Sequence, residues 1–225
     1  MAAEKVSSLA PTERPNTTRE FKGSGSCVAA VNLSWDELME SSSGGAFSII
    51  ARAALDRGGV VYGHSFVSPT KVECIRVDDA ADLCRLRGSK YVQSDMGAIM
   101  RDTLVDLRSG REVVFSGTPC QVAGLKAFLA AKDVDVGRLL LVDIVCHGVP
   151  SPEFFAECME WEACGNRLDE VRFRDKREGW GCGGGTATTT TPILHRLVTR
   201  DRAFSPKTSY YYKRFLVGDV YRESC

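Results

Sequence analysis

The chain has 225 residues, 44% apolar and 26% charged, a balance that can bury a sizeable core and excludes wholesale disorder. Lys and Arg total 29, as do Asp and Glu, so net charge gives no argument for nucleic acid or an anionic membrane as the main partner. No apolar run approaches the ~20 residues a membrane span needs, and the opening residues show no secretory signal, which points to the cytoplasm.

Residues 1–25 lack a periodic apolar face and read as a flexible leader; a single domain is expected over 26–225. CVAAV, from Cys27, is a candidate short strand. Ser41-Ser42-Ser43-Gly44-Gly45 opens a stretch (Ala46, Phe47, Ile49, Ile50, Ala53, Ala54) spaced for one helical face and closed by Gly58-Gly59. Two β-like runs follow, Val60–Val67 and Lys71–Val77, divided by a turn at Ser68-Pro69-Thr70. Helices are expected over Ala80–Leu86 and Met96–Leu107, with Gly88-Ser89-Lys90-Tyr91 between them. Glu112–Ser116 reads as a buried strand, Gly117-Thr118-Pro119 as a sharp turn, Cys120–Ala131 as a helix opened by proline, and Leu139–Val145 as a second apolar strand. Strand, helix and strand in so short a span imply parallel strands joined by a crossover. Ser151–Cys164 reads as a helix and Glu170–Phe173 as a strand. Gly181–Thr191 is a loop or a weak edge strand, and no clear element precedes Cys225. The fold class is α/β, with a mixed, partly parallel sheet, flanking helices and at least one βαβ unit.

In a parallel sheet, ligands bind beyond the carboxyl ends of the strands. Cys120 and Cys146 both follow such ends, and a helix starting at Cys120 favours an anion or a thiolate. The plainer reading of either cysteine alone is a small buried hydrophobe. Nine cysteines without an export signal raise the weight of metal or redox use. Ser41–Gly45 has the makings of a phosphate cradle, hydroxyls and amides at a helix start with glycines allowing close approach, although serine-rich starts are more often helix caps. Lys90 and Tyr91 offer a cation and a ring beside a glycine, suited to a phosphorylated ring cofactor. The run Arg172, Arg174, Asp175, Lys176, Arg177 reads as a solvated strand end.

Six segments in order, SSSGGAFS, GGVVYGHSF, LRGSKYVQSDMG, VVFSGTPCQVAGLKAFL, LVDIVCHGVPSP and VRFRDKREGW, closely resemble the beta subunit family of coenzyme F420 hydrogenase and dehydrogenase. The resemblance runs from about Cys27 to the end of the sequence, where the family pattern is cut short. It implies an iron–sulfur flavoprotein that holds FAD and a 4Fe-4S cluster. Such a protein moves electrons between F420, a deazaflavin hydride carrier, or a similar donor and the clusters of an iron–sulfur electron-transfer protein or a hydrogenase or dehydrogenase subunit. Carried over by position, Ser42, Ser43, Gly44, Gly45, Lys90, Tyr91 and Thr118 would hold FAD. Cys120 and Cys146 would ligate the cluster, and Cys225 resembles the first cysteine of a further C-x-x-C pair. No ferredoxin-type C-x₂-C-x₂-C-x₃-C run is present. Two other readings stay open: a hydrolase or transferase with Cys120 as nucleophile and His147 as base, and a non-catalytic, truncated docking scaffold.

Overall fold

The computed structural model describes residues 28–176, 185–193, 196–205, 207–223 and 225; the expected leader lies outside them. Two short helices, α1 (Trp35–Glu40) and α2 (Ala46–Leu55), precede the hairpin β1 (Val60–Ser68) and β2 (Lys71–Val77). A 3₁₀-helix (Ala80–Leu86) and α3 (Ile99–Arg108) lead to β3 (Val113–Gly117), α4 (Pro119–Ala130) and β4 (Leu139–Asp143). Then come α5 (Pro152–Glu162), β5 (Arg167–Phe173), β6 (Gly185–Ile193), β7 (Arg196–Phe204) and α6 (Tyr210–Val217).

The first sheet has the order β2-β1-β3-β4. β1 pairs antiparallel with β2 and parallel with β3, and β3 pairs parallel with β4 from Val113↔Leu139 to Gly117↔Asp143. β3 is buried along its whole length, as an apolar run inside a two-faced parallel sheet should be. Val113 and Phe115 face Leu104 and Leu107 of α3 and Val122, Leu125 and Leu129 of α4, while Val114 faces Ala51, Ala54 and Leu55 of α2. The 122, 125, 129 spacing is one helical stripe. Burying Leu125 and Leu129, both essentially inaccessible, stabilises by roughly 1.5–3 kcal/mol each. Helix α4 starts where Thr118 leaves the strand. Pro119 occupies its first turn, and the Gln121 side chain accepts the Thr118 backbone N–H at 2.9 Å.

The second sheet, β5-β6-β7, is antiparallel throughout. Phe173 and Phe204 pack there against Phe155 of α5 and Tyr211, Tyr212 and Phe215 of α6. Gly185 has to be glycine: a Cβ there would lie 2.3 Å from the Phe204 ring.

The mixed sheet and the β3-α4-β4 unit match the sequence reading; other details differ. Val28–Val31 forms no strand, and Cys27 is outside the described residues. The Ala80–Leu86 segment winds as a 3₁₀-helix. The polar Gly185–Ile193 segment is the central strand of the second sheet, not an edge, because its backbone pairs on both sides whatever its hydropathy. Helices α1 and α6 and strand β7 carry too little apolar periodicity to announce themselves.

A buried polar clamp ties the first sheet to α3. The Tyr62 hydroxyl donates to Asp106 at 2.5 Å, and Arg76 donates to both Asp106 oxygens at 2.7 and 3.1 Å. Burial alone would raise the Asp106 carboxyl, but hydrogen bonds from Arg76 and Tyr62 and the Arg76 charge hold it below its ordinary value. A depressed carboxyl contributes stability above its unfolded pKa and loses it as pH falls. Asp106→Ala, which leaves Arg76 paired with Asp78 and the Tyr62 hydroxyl without its acceptor, is expected to lower urea-unfolding stability by about 1–3 kcal/mol at pH 7, against about 1 kcal/mol for Tyr62→Phe. The Asp106→Ala deficit should shrink as pH is taken below about 4, the ordinary carboxyl range; a deficit flat with pH would contradict the clamp.

Candidate functional site

The Ser41–Gly45 segment joins α1 to α2. Ser41 is buried, and its hydroxyl donates to the Glu37 carbonyl at 2.6 Å, so it finishes α1 and faces no ligand. The Gly44 carbonyl accepts the Asn32 N–H at 2.7 Å. Gly45 takes φ +77°, and a Cβ on it would sit 2.8 Å from the Asn32 Cβ. Only glycine fits this left-handed start of α2, whose N-cap makes no side-chain hydrogen bond.

The structure brings this loop to the segment 87–91. The Ser89 hydroxyl donates to the Ser42 hydroxyl at 2.7 Å, joining two motifs distant in sequence. Lys90 Nζ donates to the carbonyls of Arg87 at 2.6 Å and Gly88 at 3.1 Å, and no carboxylate among the described residues pairs with it. Burial pushes its ammonium down to about 7. Arg87 is committed elsewhere, to Glu37 at 2.7 Å and to Glu40. Tyr91 turns inward: its ring stacks on Phe215 with centroids 4.6 Å apart and tilts against Phe173 at 5.1 Å, and its carbonyl accepts the Tyr211 hydroxyl. Its ring is part of the aromatic core.

At the carboxyl ends of β3 and β4, Cys120 and Cys146 each lie three residues past the paired Gly117 and Asp143. The Ile144 N–H extends the pairing to the Gly117 carbonyl at 3.1 Å. Both thiols are thus delivered to the same end of adjacent parallel strands. The exposed Cys120 Sγ lies 3.1 Å from the Thr118 hydroxyl, and the Gly148 N–H points at the Cys146 Sγ from 3.5 Å. The His147 ring packs against Phe215 and Tyr221, so no Cys120–His147 nucleophile–base pair forms. Arg222 N–H donates to the Val149 carbonyl at 3.2 Å and Cys225 N–H to Arg222 at 2.9 Å, which ties the Cys225 segment to the loop that carries Cys146. Among the described residues, no three His, Cys, Asp or Glu side chains gather closely enough to hold a metal. The seven described cysteines are free thiols; Cys27 and Cys182 fall outside the described residues.

Two residues went unrecognised in the sequence. His64, on β1 within GGVVYGHSF, has both ring nitrogens buried without a hydrogen-bond partner. Burial, helped by the Lys90 charge, pushes it down to about 4, so the imidazole is neutral at pH 7. The inward alternation Tyr62–His64 was the available signal. Lys176, read as part of a solvated charge run, is only 6% exposed. Its Nζ donates to the Leu38 and Ser43 carbonyls at 2.8 Å each.

The family model for the C-terminal part of the coenzyme F420 hydrogenase/dehydrogenase beta subunit matches residues 110–192. The beta-subunit match takes in Thr118, Cys120, Cys146 and Lys176, while Ser42–Gly45, Lys90 and Tyr91 precede it. A solved structure of the F420-reducing [NiFe] hydrogenase complex from Methanosarcina barkeri contains a chain with a similar fold: TM-score 0.54 and 14% identity over 81% of this chain. The protein spans 60% of the length of that chain. No curated protein matches the sequence. No helix among the described residues is long and apolar enough to cross a membrane.

The Lys90 environment has a measurable consequence. A lysine whose pKa falls on folding costs stability below its folded pKa, and the cost disappears as pH rises toward the ordinary 10.5. Lys90→Met is therefore expected to exceed wild type in stability at pH 7, by on the order of 2 kcal/mol, with the two converging near pH 10. Denaturant titrations across that range check this; a gap independent of pH would mean Lys90 is solvated.

Proposed function

We propose that the protein is an oxidoreductase component that holds FAD and passes electrons between an F420-type or similar hydride donor and an iron–sulfur partner such as a hydrogenase or dehydrogenase subunit. The observation that carries this reading is the joining of the SSSGG and RGSKY loops through Ser42 and Ser89, beside a desolvated Lys90 with carbonyl partners only. A pyrophosphate fits that arrangement: glycine backbone, serine hydroxyls and a cation whose burial an anion would offset. Ser42, Ser43, Gly44, Gly45 and Lys90 would hold the phosphates. Thr118, at the head of α4, would face the same carboxyl end of the sheet, and Tyr91 would buttress the pocket wall from the aromatic core. The chemistry a bound flavin supplies is the conversion of a two-electron hydride into single electrons. The chain's contribution is to bind, orient and keep water away.

A cluster fits less completely. Cys120 and Cys146 are suitably placed soft ligands, and Cys225 follows a segment tied to the Cys146 loop. They do not form a three-ligand set among the described residues.

The visible spectrum of anaerobically purified protein tests the reading. Flavin bands are expected, and Ser42→Asp, which sets a carboxylate in the cradle, should retain at least about tenfold less flavin than Ser42→Ala. Equal retention in the two variants would reduce SSSGG to a helix start. A colourless protein with a rapidly alkylated Cys120 would favour thiol chemistry. Iron content that is unchanged in Cys120→Ser and Cys146→Ser would remove both from any cluster.

A further inference from the structure

Lysine is among the residues least often fully buried, since an ammonium loses its hydration there. Lys176 is nevertheless almost inaccessible. Its ammonium caps two carbonyls: that of Leu38 in α1 and that of Ser43 in the SSSGG loop. Burial lowers its pKa, with the Arg174 charge adding to the fall. The chain reaches this position through Arg174, just past β5, which takes φ +54°. That left-handed conformation is unfavourable for a side-chain-bearing residue. A buried charge and a strained backbone, two costly features, thus converge on the Ser43 carbonyl.

The peptide geometry shows what the contact does. Peptide bonds among the described residues are trans, so the N–H of each peptide points opposite to its C=O. Anchoring the Ser43 carbonyl on Lys176 turns the Gly44 N–H to the other side of the loop. Asn32 does the same one residue later by holding the Gly44 carbonyl, which turns the Gly45 N–H away from Asn32. With Gly45 left-handed, successive N–H groups are set up as a concave anion site ahead of α2.

We propose that Lys176 is the positioning residue of the cofactor cradle: acting through the Ser43 carbonyl, it orients the Ser43–Gly44 peptide toward a bound pyrophosphate group. The proposal rests on the flavin-phosphate reading above and adds to it that the second sheet, which supplies Lys176, controls a cradle formed by the loops of the first.

Lys176→Gln keeps a donor but removes the charge. Val171→Ala, a buried truncation on β5, serves as a control that lowers stability without touching Ser43. Flavin-depleted proteins are titrated with FAD and, separately, with inorganic pyrophosphate by thermal shift. Amide hydrogen exchange over 42–47 is measured without ligand. Lys176→Gln should weaken FAD by at least about tenfold, abolish the pyrophosphate-induced shift and speed exchange at 42–47, while Val171→Ala stays within about twofold of wild type. FAD affinity lost equally in both variants, or unchanged exchange at 42–47 in Lys176→Gln, would overturn the positioning role. Should wild type bind neither probe, the flavin reading fails, and the exchange measurement alone still decides whether Lys176 holds the loop.

Discussion

The parallel ladder β1-β3-β4 is the constraint from which the site follows. Parallel neighbours cannot be joined by a tight turn, so the chain must leave the carboxyl end of β3 and return through α4. The same geometry places the carboxyl ends of β1, β3 and β4 at one end of the sheet, while β2 runs the other way. Thr118, Cys120 and Cys146 therefore follow strand ends on the same side although they are spread across the sequence. The register Gly117↔Asp143 ends the two strands at the same level, so the start of α4 that carries Cys120 and the loop that carries Cys146 leave the sheet side by side.

Electrostatics then separates the cations by purpose. Arg87 and Arg52 meet Glu37, and Arg87 also meets Glu40; these pairs fasten α1, α2 and the segment after the 3₁₀-helix. Lys90 and Lys176 are treated differently. Lys176 is buried and Lys90 half-buried, and each donates to backbone carbonyls. The two lysines sit by the loops that Ser42 and Ser89 join, and a positive potential there, in surroundings of low polarity, acts on an anion more strongly than the same charges would in water. His64 contributes no charge at neutral pH, so it does not repel Lys90 further.

Where the apolar period was strong, the fold was legible in the sequence. β1, β2, α2 and the β3-α4-β4 unit follow from runs such as Val113–Phe115 and the Val122, Leu125, Leu129 stripe. The second sheet was not legible, because β6 is rich in threonine and its place is decided by backbone pairing on both sides and by aromatic side chains from α5 and α6. Local propensity says little about such a strand. The candidate site divides the same way. The placement of Cys120 and Cys146 beyond the ends of two paired parallel strands was foreseeable from the strand pattern, and the SSSGG and RGSKY segments stood out as motifs, though not the contact between Ser42 and Ser89. Lys176 and Tyr91 were not foreseeable: a lysine in a charge run looks solvated until a left-handed residue turns it inward, and an aromatic beside a glycine gives no sign of which way its ring will face.

The distance in sequence between the parts of the cradle has a physical cost of its own. Lys176 meets Leu38 and Ser43 across separations of 138 and 133 residues, whereas the β3-α4-β4 core closes over a short crossover. Loop-closure entropy rises with length, so a contact across that separation carries a larger closure cost than one inside the β3-α4-β4 unit. Linkage turns that cost into coupling: a ligand that binds only the assembled loop stabilises every contact its assembly needs. An anion held by Ser42–Gly45, as proposed, would draw the Lys176 anchor, the turn at Arg174 and the end of β5 into place, and so stabilise the second sheet through a group that it does not itself touch.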